Sequence, residues 1–270
     1  MAAVGYGVAA GLAALGGGVR LATFVADDPL GQLVRAVLVD RGLWSDAVMP
    51  CTATPRSVVL VAPDGSRMVS TDLRDMPDAR YPLERFRVAL AGASWAVVTN
   101  IGFARPLLAV AREAGVPIAA DVQAIDDLHD AYNAEWMAAA DVLFCSHERL
   151  PMAPEAWATA VHDTYGCRIV VVGMGADGAL VKVAGQPARQ VPAVAPRGVI
   201  STAGAGDTLV AGFLHSYAVT GDADAAIEAA VAYAGYKVGA APGEDGFCSA
   251  QGLAELTQAA FGGASSPTSS

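Results

Sequence analysis

The run Ser201-Thr202-Ala203-Gly204-Ala205-Gly206-Asp207 gathers residue types that could do chemistry together. Gly204, Ala205 and Gly206 are small and stand directly before Thr208 to Val219, where apolar residues recur at helical spacing. Small residues at a helix start let successive backbone N–H groups point at one spot, and the helix dipole favours negative charge there. Such a spot suits a phosphoryl group. An aspartate at its end, Asp207, could take the proton of an attacking hydroxyl while the amides stabilise charge on the moving phosphate. The same residues also describe a Gly-rich turn whose Asp caps a helix. Chemistry alone leaves the two readings even.

Other patterns narrow the choice of chemistry. Gly173-x-Gly175-x-x-Gly178 follows an apolar run, but Ala179-Leu180-Val181-Lys182-Val183 reads as a strand where a dinucleotide fingerprint needs a helix. Gly5-x-Gly7-x-x-Ala10 does open a helix, with Asp27 about where a ribose-binding acid would stand, which leaves a Rossmann-type oxidoreductase as a rival. A Gly-x-x-x-x-Gly-Lys-Ser/Thr run is absent, so a P-loop kinase is excluded. Cys51, Cys145, Cys167 and Cys248 lie far apart and form no ligand spacing with His129, His147, His162 or His215. The expectation is no protein-held metal and reduced thiols of a cytoplasmic protein.

The elements that would position these residues read as repeated βα units. Strands are expected at Trp95 to Thr99, Pro117 to Asp121, Val142 to Cys145 and Arg168 to Val172, with helices at Pro106 to Ala114, Asn133 to Ala139 and Pro154 to Tyr165 between them. Short apolar, β-branched strands of this kind are covered on both faces, which predicts a parallel sheet between two helical layers. Two regions break the rhythm. Arg56 to Val61 and Arg67 to Ser70 flank Pro63-Asp64-Gly65 as a β-hairpin, either a flap or an edge of the main sheet. After Gly206, one helix aligns Leu209, Phe213 and Tyr217, and a second, from about Asp222 to Ala240, aligns Ile227, Val231, Ala234 and Val238.

Composition sets the outer limits. The chain is 54% hydrophobic and 16% charged, too apolar for a disordered protein. Its net charge of -10 argues against a nucleic-acid or anionic-membrane partner, while small anions remain possible. Met1 to Gly18 is apolar but has no basic residue before Arg20, so it reads as a buried helix rather than a leader. Residues 262–270 read as a disordered tail.

Thr202 to Thr208, followed by a helix carrying Gly212-Phe213, closely resembles the signature of the ribokinase-like (PfkB) sugar kinases. The resemblance runs over roughly residues 8 to 245 and takes in Leu15-Gly16-Gly17, Asp27-Asp28-Pro29-Leu30-Gly31, the hairpin, and Val172 to Ala179. It implies a three-layer α/β/α domain over residues 1–261, with a mostly parallel central sheet and a small β lid at about 47–71. It implies Asp207 as catalytic base and the amides of Gly204, Ala205 and Gly206 as the anion hole. Gly175, Asp177, Gly178 and Thr202 would lie near ATP, and Mg²⁺ would arrive on the nucleotide. The acceptor would be a sugar or nucleoside-like molecule, Asp121 a contact to its hydroxyl (or a helix cap), and the lid a possible homodimer surface. Three positions depart from the family. Ser201 stands for an acid or Asn, Ser146-His147-Glu148-Arg149 for Asn-x-x-Glu, and Gly7 for the Asn of an early Gly-Gly-x-x-x-Asn segment whose glycines match Ala2-Ala3. A relative that binds nucleotide or sugar without turnover is therefore the alternative.

Overall fold

A computed structural model describes residues 4–61, 67–241 and 245–262, so the expected turn at Pro63-Asp64-Gly65 and most of the expected tail lie outside the described residues. The chain begins with α1 (Val4–Ala14), β1 (Thr23–Ala26), α2 (Pro29–Asp40), β2 (Val48–Cys51) and the hairpin strands β3 (Arg56–Val61) and β4 (Arg67–Asp72). After α3 (Leu83–Leu90) the βα rhythm runs through β5 (Ala96–Thr99), α4 (Arg105–Glu113), β6 (Ile118–Ala124), α5 (Ala134–Ala139), β7 (Val142–Ser146), α6 (Pro154–Tyr165) and β8 (Ile169–Gly173). It ends with β9 (Ala179–Val183), β10 (Arg189–Val191), α7 (Ala205–Thr220), α8 (Ala223–Val238) and α9 (Ala250–Phe261).

The main sheet has six strands in the order β10-β9-β8-β7-β6-β5. Strands β5 to β8 are parallel, and β9 and β10 add antiparallel at one edge. Period-two alternation divides the side chains between two cores. Ile118, Ala120, Leu143, Cys145, Val170 and Val172 pack against α3 to α6. Ala119, Val142, Phe144, Ile169 and Val171 face α1, α7 and α8. Asp121 has the parity of Ala119 and belongs to this second face. The expected three-layer α/β/α arrangement is what forms, with α9 packed outside α8. Among the described residues no helix is long and apolar enough to cross a membrane.

Outside the main sheet, β1 and β2 pair in parallel as one small sheet, and β3 and β4 form another. The hairpin is thus a flap and not an edge of the central sheet. Strand β2 falls in the 47–71 span but belongs with β1. Asp28 ties these parts together. Its carboxylate accepts the N–H of Gly31 at 2.7 Å, capping α2, and the N–H and Oγ1–H of Thr54 at 2.9 and 2.7 Å, just before the hairpin. Three such donors hold the Asp28 carboxyl at about 2, below the usual range.

The helix α7 is buried along most of its first half, from Thr208 to Leu214. Phe213 meets Phe144 of β7 edge-on at 5.6 Å and stacks on Tyr217 at 5.7 Å, which seats the helix on the sheet. Phe213→Ala is expected to reduce the unfolding free energy by about 3–5 kcal/mol, read from denaturant melts. A loss below about 1 kcal/mol would mean that α7 is not held through this ring.

Candidate active site

The amino end of α7 is built by a left-handed residue and a strapped approach. Gly204, at φ 78° and ψ 8°, precedes the helix, a conformation that costs glycine little. The N–H of Thr208 reaches the Gly204 carbonyl at 3.0 Å and its hydroxyl does so at 2.7 Å. Upstream, the N–H groups of Ile200 and Ser201 both reach the carbonyl of Val238, so the approach is pinned to the end of α8. Thr202 and Gly206 are exposed, Gly204 and Ala205 partly so. The amino end of the helix is therefore accessible, where first-turn amides lack intrahelical partners, although the Ala205 N–H reaches the Thr202 carbonyl at 3.3 Å. Asp207 sits in this first turn, partly buried.

Asp121 approaches from the sheet. It is buried at the point where β6 loses its register against β7, and Gln123 two residues on has φ 58°. A non-glycine residue held in that region is locally strained. The Asp121 carboxylate accepts the Gln123 N–H at 2.8 Å within the same strand, so it caps no helix. Beside it runs a polar chain that the sequence did not announce. Asn100 donates to Asn133 at 3.0 Å and accepts from Gln123 at 2.9 Å, and Asn133 donates to Asp130 at 2.6 Å.

Burial raises both carboxyls, and the neighbouring Asp121 raises Asp207 further. Asp207 is lifted to about 7, first by burial and then by Asp121, with Lys237 acting against both. Asp121 rises to about 6 through burial, opposed by the Gln123 N–H. A carboxyl near 7 is matched to general-base work at neutral pH.

Gly175, Asp177 and Gly178 form the short turn between β8 and β9. A Cβ on Gly178, which has φ 92°, would strike the backbone at Pro192 and Ala193, so only glycine fits. This confirms strand-turn-strand geometry, against the dinucleotide fingerprint. Gly173, at the end of β8, lies against Leu209 of α7, with 3.6 Å from its Cβ position to Leu209 Cδ2. The turn, the α7 amino end and Asp121 thus share the carboxyl-end side of the parallel strands, where ligands of open α/β sheets bind. His147 supports the turn, its Nδ1 lying 3.1 Å from the Gly173 carbonyl. Arg149 pairs with Asp126, while Glu148 is exposed. Among the described residues no three His, Cys, Asp or Glu side chains cluster to hold a metal.

Gly7 has a part that motif matching did not foresee. A Cβ there would lie 2.6 Å from Cγ and 2.7 Å from Cβ of Asp207, overlapping the carboxylate. The Gly5-x-Gly7 segment packs against this acid, leaving no pyrophosphate cradle. Gly5, half a turn away, would meet only Thr99 Oγ1 at 4.0 Å. Gly7→Ala is expected to displace Asp207 and lower turnover at least ~10-fold, an effect of order 1.4 kcal/mol on the barrier. Gly5→Ala should keep activity and gain up to about 1 kcal/mol in stability, since alanine is the better helix former. Equal activity in the two variants would remove the seating role of Gly7.

Comparison with known proteins agrees with this geometry. Residues 4–243 match the pfkB family carbohydrate kinases. The chain is 32% identical over 216 residues to an acarbose 7(IV)-phosphotransferase of Actinoplanes sp., covering 79% of this chain and 72% of that protein. It is 31% identical over 228 residues to an ATP-dependent ribose-1-phosphate kinase of Halopiger xanaduensis, covering 82% and 74%. Its fold superposes on a microbiome-derived acarbose kinase with a TM-score of 0.83 at 26% identity, covering 93% of this chain and 85% of that one. The chain belongs to the pfkB carbohydrate kinase family, phosphotransferases that act on an alcohol group.

Proposed function

We propose that this chain moves the γ-phosphoryl group of ATP to a hydroxyl of a sugar or nucleoside-like acceptor, with Asp207 as the base. The observation that carries the reading is a partly buried carboxyl lifted to about 7 in the first turn of α7, next to Gly204, Ala205 and Gly206 at the accessible amino end of that helix. Asp207 takes the acceptor proton as the oxygen attacks. The three amides receive charge that builds on the phosphoryl oxygens. Gly175, Asp177, Gly178 and Thr202 line the nucleotide's path, and Asp121 orients an acceptor hydroxyl. Mg²⁺ arrives on the nucleotide, where it neutralises phosphate charge. Sugars and their derivatives are the favoured acceptors, because the two relatives are named for acarbose and ribose-1-phosphate.

The hairpin serves as a lid that closes on the acceptor and keeps water from the phosphoryl group. Its side chains Val58, Val59, Leu60, Met68 and Val69 are exposed. We read this apolar surface as the place where two copies pair. Leu60 and Met68 are cross-strand partners. The double variant Leu60→Glu with Met68→Glu is expected to sediment as a monomer where the wild type sediments as a dimer. A monomeric wild type would end the pairing proposal.

The test of the chemistry is ATP consumption with Mg²⁺ across a sugar and nucleoside panel, in wild type and Asp207→Asn. Wild-type kcat/KM should rise through pH 7 as the base ionises and level off above it. Asp207→Asn should lose at least ~10³-fold while folding normally. The same variant should melt higher than wild type at pH 8. Because the folded pKa is raised, Asp207 favours folding at low pH, and that contribution fades as pH climbs through about 7. Undiminished turnover in Asp207→Asn would overturn the mechanism.

A further inference from the structure

Lys237 lies in the last turn of α8, where the helix dipole already favours a cation. Its side chain is not loose on the surface. Lys237 Cε lies 3.3 Å from the Cβ position of Gly204, and Oδ2 of Asp207 lies 3.9 Å from that same point. On its other flank is Gly246, at φ 61°, whose Cβ position is 2.8 Å from Lys237 Cδ and 3.1 Å from Nζ. Nζ donates to the Asp245 carbonyl at 2.6 Å and stands 4.7 Å from the Phe247 ring. The lysine is wedged between two glycines, with its stem crossing the head of α7.

The charges around this pair are few. Lys237 feels Asp245, Arg41, Asp207 and Arg197. The Asp245 carboxylate is taken by Arg41, which also bonds Tyr6 of α1. Arg197 stacks on Tyr236 at 3.7 Å and donates to its carbonyl at 2.7 Å. Asp207 feels Asp121 from β6 and Lys237 from α8. An incoming phosphoryl group would add negative charge beside Asp207 and favour its protonated, unreactive form. A fixed cation at this place counters that effect.

We propose that Lys237 is a positioning residue of the transfer step: its side chain, wedged between Gly204 and Gly246, brings a positive charge beside the head of α7 that holds Asp207 as the working carboxylate and favours the phosphoryl oxygens gathering there. This deepens the proposed function and rests on Asp207 being the base.

The experiment compares wild type, Lys237→Met, Lys237→Gln, Lys237→Arg and Asp207→Asn. Carboxyl-labelled aspartate is followed by carbon NMR against pH, and the signal missing from Asp207→Asn identifies residue 207. Turnover is measured with MgATP and whichever sugar of the panel is phosphorylated fastest, and thermal melts check folding. Lys237→Met is expected to raise the Asp207 midpoint and the acidic limb of kcat/KM by about half to one pH unit. At pH 7 that lowers the rate roughly two- to six-fold, and Lys237→Arg should bring the limb back. Lys237→Gln gives the same reading if the methionine variant melts early. An unmoved midpoint and limb in a folded Lys237 variant, with Asp207→Asn inactive, would overturn this inference alone. Turnover that survives Asp207→Asn would overturn the reading beneath it as well.

Discussion

The amino end of α7 has to sit against the carboxyl ends of β6 to β8, and most of the site follows from how that seat is held. Phe213 locks the helix onto β7, Gly173 lets β8 come close to Leu209, and two backbone bonds to Val238 pin the approach to α8. With the helix so fixed, its first turn and Asp207 are held at this end of the sheet. The positive end of the helix dipole and the Asp207 carboxyl are then held together by packed elements.

The same seat creates an electrostatic tension. Burial raises both Asp207 and Asp121, and the charge of Asp121 adds to the rise at Asp207. Folding therefore tolerates a group that would be more stable protonated, which is a common pattern where chemistry has to be done near neutral pH. The contacts that restrain the tension come from distant parts of the chain. Gly7 of α1 leaves the volume that the carboxylate occupies, and Lys237 of α8 brings the opposing charge. A three-layer fold makes this possible, because α1, α7 and α8 share one face of the sheet.

The hairpin follows different rules. Its two strands pair only with each other, and both of its faces carry exposed apolar side chains. Asp28 anchors its base to α2 through Thr54, so the segment before the hairpin is fixed while its apolar surface stays uncovered. A rigid root with an open apolar surface suits an element that works by closing or pairing.

Much of this was legible in the residues themselves. Short continuous apolar runs give the buried strands β5 to β8, because a strand covered on both faces needs apolar side chains at nearly every position. The glycines and aspartate before an apolar helix mark where α7 begins, since that backbone chemistry is local to one turn. Helices α2, α3 and α9 were not read. They lie at the periphery and bury few side chains, Leu253 alone being fully buried in α9. The roles of Gly7 and Lys237, and the chain from Asn100 to Asn133, were equally hidden. Each depends on contacts between segments far apart in the chain, for which spacing along the sequence carries no signal. Local backbone chemistry was settled by the order of residues. What surrounds the Asp207 carboxylate, and hence its proton affinity, was decided only when three helices closed on one face of the sheet.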